Sequence, residues 1–272
     1  MVVIESAGIT DVGKKRKGNE DSYFVNDNLQ VYVVADGMGG HLAGEVASSL
    51  VVKTVEGYMK RARDGHSEGE KELVEKDENL SKEANQLMTS IHLSNRVVYQ
   101  VSKNKQSCSG MGSTVSAICF TRDTLVVANV GDSPIYMIRN GKIETLSVLH
   151  TVIAEQKALY PQGGGQSLGK KYDHMLTRAM GVEKTVKPDV CEIQCFKDDT
   201  LILASDGLTD KVRPDEIFEI VSGKSPKEAC PILVDLANER GGDDNITIVI
   251  VKVIMVKYKR SGVLGWISQF FK

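Results

Sequence analysis

Two apolar runs in this sequence end on the same device. Val31-Tyr32-Val33-Val34-Ala35 runs into Asp36-Gly37-Met38-Gly39-Gly40-His41, and Thr200-Leu201-Ile202-Leu203-Ala204 runs into Ser205-Asp206-Gly207. The apolar and largely β-branched content of each run reads as a buried strand. Each acid therefore stands at the mouth of a strand, beside glycines that leave backbone carbonyls accessible. Carboxylate, carbonyl and water oxygens are the ligands that Mg²⁺ and Mn²⁺ prefer. Asp and Gly are also the commonest turn residues, so one Asp-Gly pair decides little and its recurrence carries the weight. Asp243-Asp244 leads into a last apolar run, Ile246 to Val256, instead of leaving one. In an antiparallel sheet that reversed approach brings the pair to the same end as Asp36 and Asp206. Asp132, in Gly131-Asp132-Ser133, is a further acid at a strand end, and alone it would be read as a turn aspartate.

A second constellation lies near the amino terminus, where Arg16 precedes Asn19-Glu20-Asp21. Adjacent carboxylates repel one another unless something positive satisfies them. Two acids beside an arginine suit a site holding both metal and phosphate, since the planar guanidinium clamps phosphate oxygens while the acids order water around a cation. Arg16, Glu20, Asp21 and Asp36 are expected to converge at one end of adjacent strands.

The elements that must position these residues follow from pattern. A strand is expected over 2–10, and segments 20–25 and 29–35, joined by Asn26-Asp27-Asn28, read as a hairpin. Apolar residues at helical spacing predict a helix over 43–63 and another from Leu80 to about Val101, with a solvated charged stretch between them. Strands over 113–121, 124–130 and 134–139 are expected to pair antiparallel as consecutive hairpins, with Asn140-Gly141 the strongest short turn signal. Segment 146–181 has no firm period and reads as a flap. Strands resume over 190–196 and 200–204, followed by helices over 215–222 and 226–239. The second of these opens with Ser225 as cap, Pro226 at the first position and Glu228 closing a capping box.

Length and composition exclude several classes. With 272 residues the chain has ample material for a core, and 34 basic against 36 acidic residues give no whole-chain field that would favour nucleic acid. The five cysteines (Cys108, Cys119, Cys191, Cys195 and Cys230) lack zinc-type spacing and read as reduced core thiols of a cytoplasmic protein. The amino terminus shows no basic region followed by a long apolar segment, so no signal peptide is expected. The tail differs in kind. Lys257, Lys259 and Arg260 precede Val263, Leu264, Trp266, Ile267, Phe270 and Phe271, an amphipathic pattern that suits docking on its own domain, a partner, or the surface of a membrane.

The ordered set Arg16-x-x-Asn19-Glu20-Asp21, Asp36-Gly37-Met38-Gly39-Gly40-His41, Gly110-Met111-Gly112-Ser113-Thr114, Gly131-Asp132-Ser133, Leu176-Thr177-Arg178-Ala179-Met180-Gly181, Ser205-Asp206-Gly207 and Asp243-Asp244-Asn245 resembles the bacterial branch of the PP2C (PPM) family of metal-dependent protein serine/threonine phosphatases. The resemblance extends over the chain to about Val256, in motif order as well as content. It implies an α/β (α+β) fold, an α-β-β-α sandwich of two antiparallel sheets flanked by helices, over 1–256, with 257–272 as a tail. It further implies two Mn²⁺ or Mg²⁺ ions, with Asp36 bridging both, the Gly37 carbonyl on one, and Asp206 and Asp244 completing the other. Glu20 and Asp21 would act largely through water, Arg16 would take the substrate phosphate, and a third, weaker ion would sit between Asp132 and Asp206. The implied reaction is attack of a metal-activated water on a phosphoserine or phosphothreonine ester, without a covalent intermediate.

Three departures stand out. Eukaryotic members commonly have a histidine, proposed as the acid, at the position of Met38; a thioether cannot donate a proton, which leaves a metal-bound water or His41 as the candidate acid. Pro134 stands where bacterial members usually have Arg, and Leu149-His150-Thr151 where they have Asp-His-Ser. The expected partners are phosphorylated proteins and an opposing bacterial Ser/Thr kinase, and the expected state is a monomer. Two other readings use the same site: a pseudophosphatase that binds phosphorylated partners, against which the full set of carboxylates argues, and a hydrolase of small phosphoesters or nucleotides. No Walker-type glycine loop supports nucleotide binding.

Overall fold

The computed structural model describes residues 2–39, 43–66, 76–160, 172 and 174–257. Eleven strands and six α-helices are found among them, besides a 3-10 turn over Gln106–Cys108: β1 (Val2–Asp11), β2 (Asp21–Asn26), β3 (Val31–Met38), α1 (Ala43–Arg63), α2 (Lys82–Asn104), β4 (Gly112–Ser113), β5 (Val115–Phe120), β6 (Thr124–Val130), β7 (Ile135–Arg139), β8 (Lys142–Thr145), α3 (Val152–Leu159), β9 (Asp189–Gln194), β10 (Thr200–Ala204), α4 (Asp206–Thr209), α5 (Pro214–Val221), α6 (Pro226–Glu239) and β11 (Ile246–Val256). One antiparallel sheet has the order β1-β11-β10-β7-β8 and the other β2-β3-β5-β6-β9, with β4 pairing β3.

The sheets are apolar on both faces because each is covered twice. Along β3, Val31, Val33 and Ala35 pack under α1 and α2, while the alternating Tyr32 and Val34 face Ile118, Leu201 and Val249 between the sheets. On the second sheet Ile202, Ala204, Ile248 and Ile250 pack under α5 and α6, with Leu201, Leu203, Val249 and Val251 turned inward. Three apolar layers thus separate helix, sheet, sheet and helix. This double cover is why the strands read as near-continuous hydrophobic runs instead of alternating ones.

Helix α1 occupies the expected span, and Glu228 accepts from the Ser225 backbone N–H at 2.9 Å at the start of α6. The β7–β8 turn has Asn140 and Gly141 at φ +51° and +72°, the two positive angles that a type I′ hairpin needs. Two expectations are corrected. Strands β6 and β7 do not form a hairpin: β6 pairs with β5 and β9, while β7 pairs with β8 and β10, so the chain changes sheets at 131–134. The segment over 146–181 is not without a regular element, since it contains α3, capped by the Thr151 hydroxyl accepting from Ala154 N–H at 3.1 Å. Cys108, Cys119, Cys195 and Cys230 are buried as expected, whereas Cys191 is exposed on β9; all five are thiols. No helix among the described residues is long and apolar enough to cross a membrane. The amphipathic segment from Lys259 to Phe271 and the candidate acid His41 lie outside the described residues.

Candidate functional site

The acids converge because strand ends converge. Asp21 and Asp36 face each other as register partners of β2 and β3, Asp206 follows β10, and Asp244 precedes β11, whose Ile248 pairs with Ala204. A cavity of about 540 Å³ at this end of the sandwich is lined by Arg16, Glu20, Asp36, Gly37, Asp132, Asp206 and Asp244, together with Met38, Thr114, His174 and Asp210. Of the acids expected at the site, Asp21 alone stands behind the lining. It is buried and accepts from the Ser205 hydroxyl at 2.8 Å, a bond that joins the two sheets directly beneath the cavity.

Backbone geometry fixes the acids more tightly than side-chain contacts do. The Asp36 N–H donates to the Thr114 hydroxyl at 3.0 Å and the Thr114 N–H donates to the Asp36 carbonyl at 2.8 Å. Gly37 donates its N–H to the Glu20 carbonyl at 3.1 Å. A Cβ on Gly37 would lie 2.1 Å from the Gly44 carbonyl oxygen, so glycine is what allows the start of α1 to approach the metal-side strand. Asn245 ties the other side together: its Nδ2 donates to the carbonyls of Val12 and Gly18 at 2.9 and 3.0 Å, and its Oδ1 accepts from the Glu20 N–H at 2.8 Å. The loop carrying Arg16 is thereby held beside Asp244, to whose Oδ2 Arg16 Nη2 donates at 2.6 Å.

Burial, followed by repulsion from neighbouring carboxylates, raises the acids here. Asp36 is pushed well above the ordinary aspartate range, by burial first and then by Asp21, Asp206, Asp132 and Asp244. Asp206 is pushed up to about 7 by burial and by Asp132, Asp210 and Asp244. Burial lifts Asp21 to about 6 against the opposing hydrogen bonds from Thr247 and Ser205. Asp132 and Glu20 are raised as well, again chiefly by burial. So many carboxylates crowded out of water, with Arg16 and His174 as the only basic side chains in the described lining, fit a site that receives cations. The donors at Glu20, Asp36, Gly37, Asp132, Asp206 and Asp244 are oxygens, which matches Mn²⁺ or Mg²⁺.

The span that matches known proteins includes these residues. The family model described as protein phosphatase 2C matches residues 6–246. The chain belongs to the protein phosphatase 2C family. The serine/threonine phosphatase stp of Listeria monocytogenes serotype 4b (strain F2365) is 33% identical over 247 residues, 89% of this chain and 93% of that protein. Protein phosphatase PhpP of Streptococcus pneumoniae serotype 2 (strain D39) is 27% identical over 254 residues, 92% and 98% of the respective chains. The Mycobacterium tuberculosis serine/threonine phosphatase PstP/Ppp has a similar structure, with a TM-score of 0.79 and 26% identity over 93% of this chain and 100% of that one. The catalytic domain of PstP in complex with two manganese ions aligns with a TM-score of 0.77 and 27% identity, covering 94% of this chain and 100% of that one. As a protein phosphatase 2C of the bacterial type, this chain is a metal-dependent protein serine/threonine phosphatase acting on phosphoproteins.

His174 and Asp210 line the cavity although neither belongs to the motifs named above. One ligand atom from each of His174, Asp206 and Asp210 lies within 4.8 Å of the others, a grouping able to hold a cation. Asp210 stands four residues after Asp206 at the end of α4, a helical spacing that was there to be noticed. His174 carried no such signal, since it reaches the cavity only because the chain returns from α3. Asn245 was visible as part of a motif, but its three bonds were not.

Proposed function

We propose that Asp36, the Gly37 carbonyl, Asp206 and Asp244 hold two Mn²⁺ or Mg²⁺ ions, and that Arg16 binds the phosphate of a phosphoserine or phosphothreonine side chain. The observation that carries this reading is the convergence of carboxylates from four strand ends on one open cavity beside a single arginine, with Asp36 and Asp206 raised chiefly by burial. When bound, the ions would acidify water and offset charge on the attacking and leaving oxygens. The chain's own contribution is placement. Arg16, half exposed and already oriented by Asp244, presents its remaining donors to the cavity, where a phosphate can accept them. Glu20 and Asp21 support the site through water and through the Ser205 bond, and Asp132 with Asp206 would serve a third, weaker ion. Met38 lines the cavity but offers no proton to the leaving alkoxide.

The kinase that supplies the phosphorylated residues would be a bacterial Ser/Thr kinase, because the ester removed must first be made on the same hydroxyl class. We assign catalysis to the domain ending with β11 and a docking role to 257–272, the site of action being cytoplasmic. The deciding experiment is hydrolysis of a phosphothreonine peptide with and without Mn²⁺, alongside nucleotides as competing substrates. Mn²⁺-dependent release of phosphate from the peptide supports the reading. Faster hydrolysis of nucleotides would favour a small-phosphoester enzyme, and tight peptide binding without turnover would favour a pseudophosphatase. Removing 261–272 should leave peptide hydrolysis intact. Sedimentation with anionic lipid vesicles at low and high salt then tests whether the tail binds a membrane surface.

A further inference from the structure

Beside the catalytic cavity lies a groove of about 610 Å³ that shares Met38, His174 and Leu176 with it. Its apolar lining is Met38, Leu176, Ala179, Val182 and Val186. Val182 is 53% exposed, a large solvent share for a valine next to an active site. Met38 and Val182 stand side by side: a Cβ built on Gly112 would lie 2.6 Å from the Met38 methyl and 3.2 Å from a Val182 methyl. The charges around the groove do not select an acidic or basic ligand. Arg178 donates to Asp189 Oδ2 at 2.8 Å and to the Lys187 carbonyl at 3.1 Å, so its guanidinium is engaged with the protein. Glu183 and Lys187 add one charge of each sign.

The groove is also held in shape. Asn95, buried on α2, accepts from the Gly181 N–H at 2.7 Å and donates its side-chain amide to the carbonyls of Glu183 and Lys184 at 3.1 and 3.2 Å. Met180, just ahead of this loop, exchanges both backbone bonds with Ser113, at 2.7 and 3.1 Å. The wall carrying Val182 is therefore fastened both to α2 and to the short strand that pairs with Gly37 and Met38. A preformed apolar wall loses little entropy when it binds a ligand.

We propose that this groove is a specificity subsite for an apolar side chain immediately flanking the phosphorylated residue of the substrate. The inference rests on the phosphatase reading above. The groove is continuous with the catalytic cavity at Met38, His174 and Leu176, so a side chain neighbouring a phosphorylated residue held at Arg16 is the part of the substrate chain that meets it first. An apolar side chain there removes Val182 and the Met38 thioether from water, whereas an aspartate would be desolvated against an apolar wall where the charge of Lys187 is offset by Glu183.

The test uses the full chain with Mn²⁺ and pairs of phosphothreonine peptides that differ only in Leu or Asp next to the phosphothreonine, on its amino side in one pair and its carboxyl side in the other. The wild type should favour Leu in kcat/KM by about tenfold in at least one pair, and Val182→Ser, which removes the apolar wall without adding a charge, should reduce that ratio below about threefold. Because each ratio is taken on one enzyme sample, loss of folded protein cancels. Ratios near one for the wild type in both pairs, or a ratio that survives Val182→Ser, would overturn the subsite while leaving the phosphatase reading intact. No hydrolysis of any of the peptides would overturn both.

Discussion

Asp21 and Asp36 are direct partners across the β2–β3 ladder, so two carboxylates project from neighbouring strands on the same face at one sheet end. Like charges placed this way destabilise a sheet unless a cation or a hydrogen bond compensates. Ser205 compensates one of them, and Asp36 is left to the cavity.

That arrangement makes opposite demands on activity and on stability. Replacing Asp36 or Asp206 by Asn should lower kcat/KM by more than about 100-fold, since an amide is a poor substitute for a carboxylate ligand. The same change removes a charge from a repelling, poorly solvated cluster, so the chelated variants should melt at or above the chelated wild type. Mn²⁺ should raise the melting temperature of the wild type and do so less for the variants. Differential scanning fluorimetry with EDTA and then Mn²⁺ reads both effects, and an equal Mn²⁺-induced rise in variant and wild type would contradict the ligand assignment.

For Arg16, the expected loss is in substrate binding. Arg16→Ala should raise KM for a phosphopeptide by about tenfold or more, and Arg16→Lys should recover only part of it, because a point charge does not reproduce the fork that meets two phosphate oxygens. Steady-state kinetics with inorganic phosphate as a competing ligand distinguishes this from a change in turnover, and an unaltered KM in both variants would contradict the role.

Asn245 is predicted to act through the loop it holds. Asn245→Ala leaves the carbonyls of Val12 and Gly18 and the N–H of Glu20 without their partner, at a cost of about 2–4 kcal/mol in unfolding free energy. The loosened loop should carry Arg16 with it, so KM should rise more than kcat falls. Urea unfolding and steady-state kinetics on the same preparation test both parts.

His150 gives a pH-dependent stability with a defined sign. It has no solvent access, its Nδ1 accepts from the Gly131 N–H at 3.0 Å, and its Nε2 stands 2.5 Å from Asp189 Oδ2. Accepting at Nδ1 requires the neutral ring, and burial accordingly lowers the imidazole below its usual range despite the bond to Asp189. The unfolded chain binds this proton more readily, so the contribution is fully present above the unfolded value, about 6.5, and is lost as pH falls below it. The stability difference between wild type and His150→Gln should therefore shrink from pH 7.5 to pH 5.5. Urea unfolding at three pH values measures it, and a difference that is constant or grows on acidification would contradict the neutral-ring assignment.

Much of the candidate site was legible because its signals are local. A helix spaced from Ala43 to Arg63 and a Ser-Pro-x-Glu start at Ser225 depend on neighbours within a few residues, and each stands where the pattern put it, whereas β3 runs on through Asp36-Gly37 to Met38 because β4 pairs with it there. Membership of a sheet is not local. Segments 124–130 and 134–139 have the composition and spacing of a hairpin, yet the chain crosses between sheets at Asp132, because both faces of each strand are apolar and pairing is settled by which layers can be covered. The same long-range closure put Asp21 behind the cavity on a bond to Ser205, and drew His174 toward Asp206 and Asp210. Local composition and spacing set which residue types stand at the strand ends. Which ends meet was decided by the packing of two sheets through Tyr32, Ile118, Leu201 and Val249, since that shared core holds the carboxylates close together against their own repulsion.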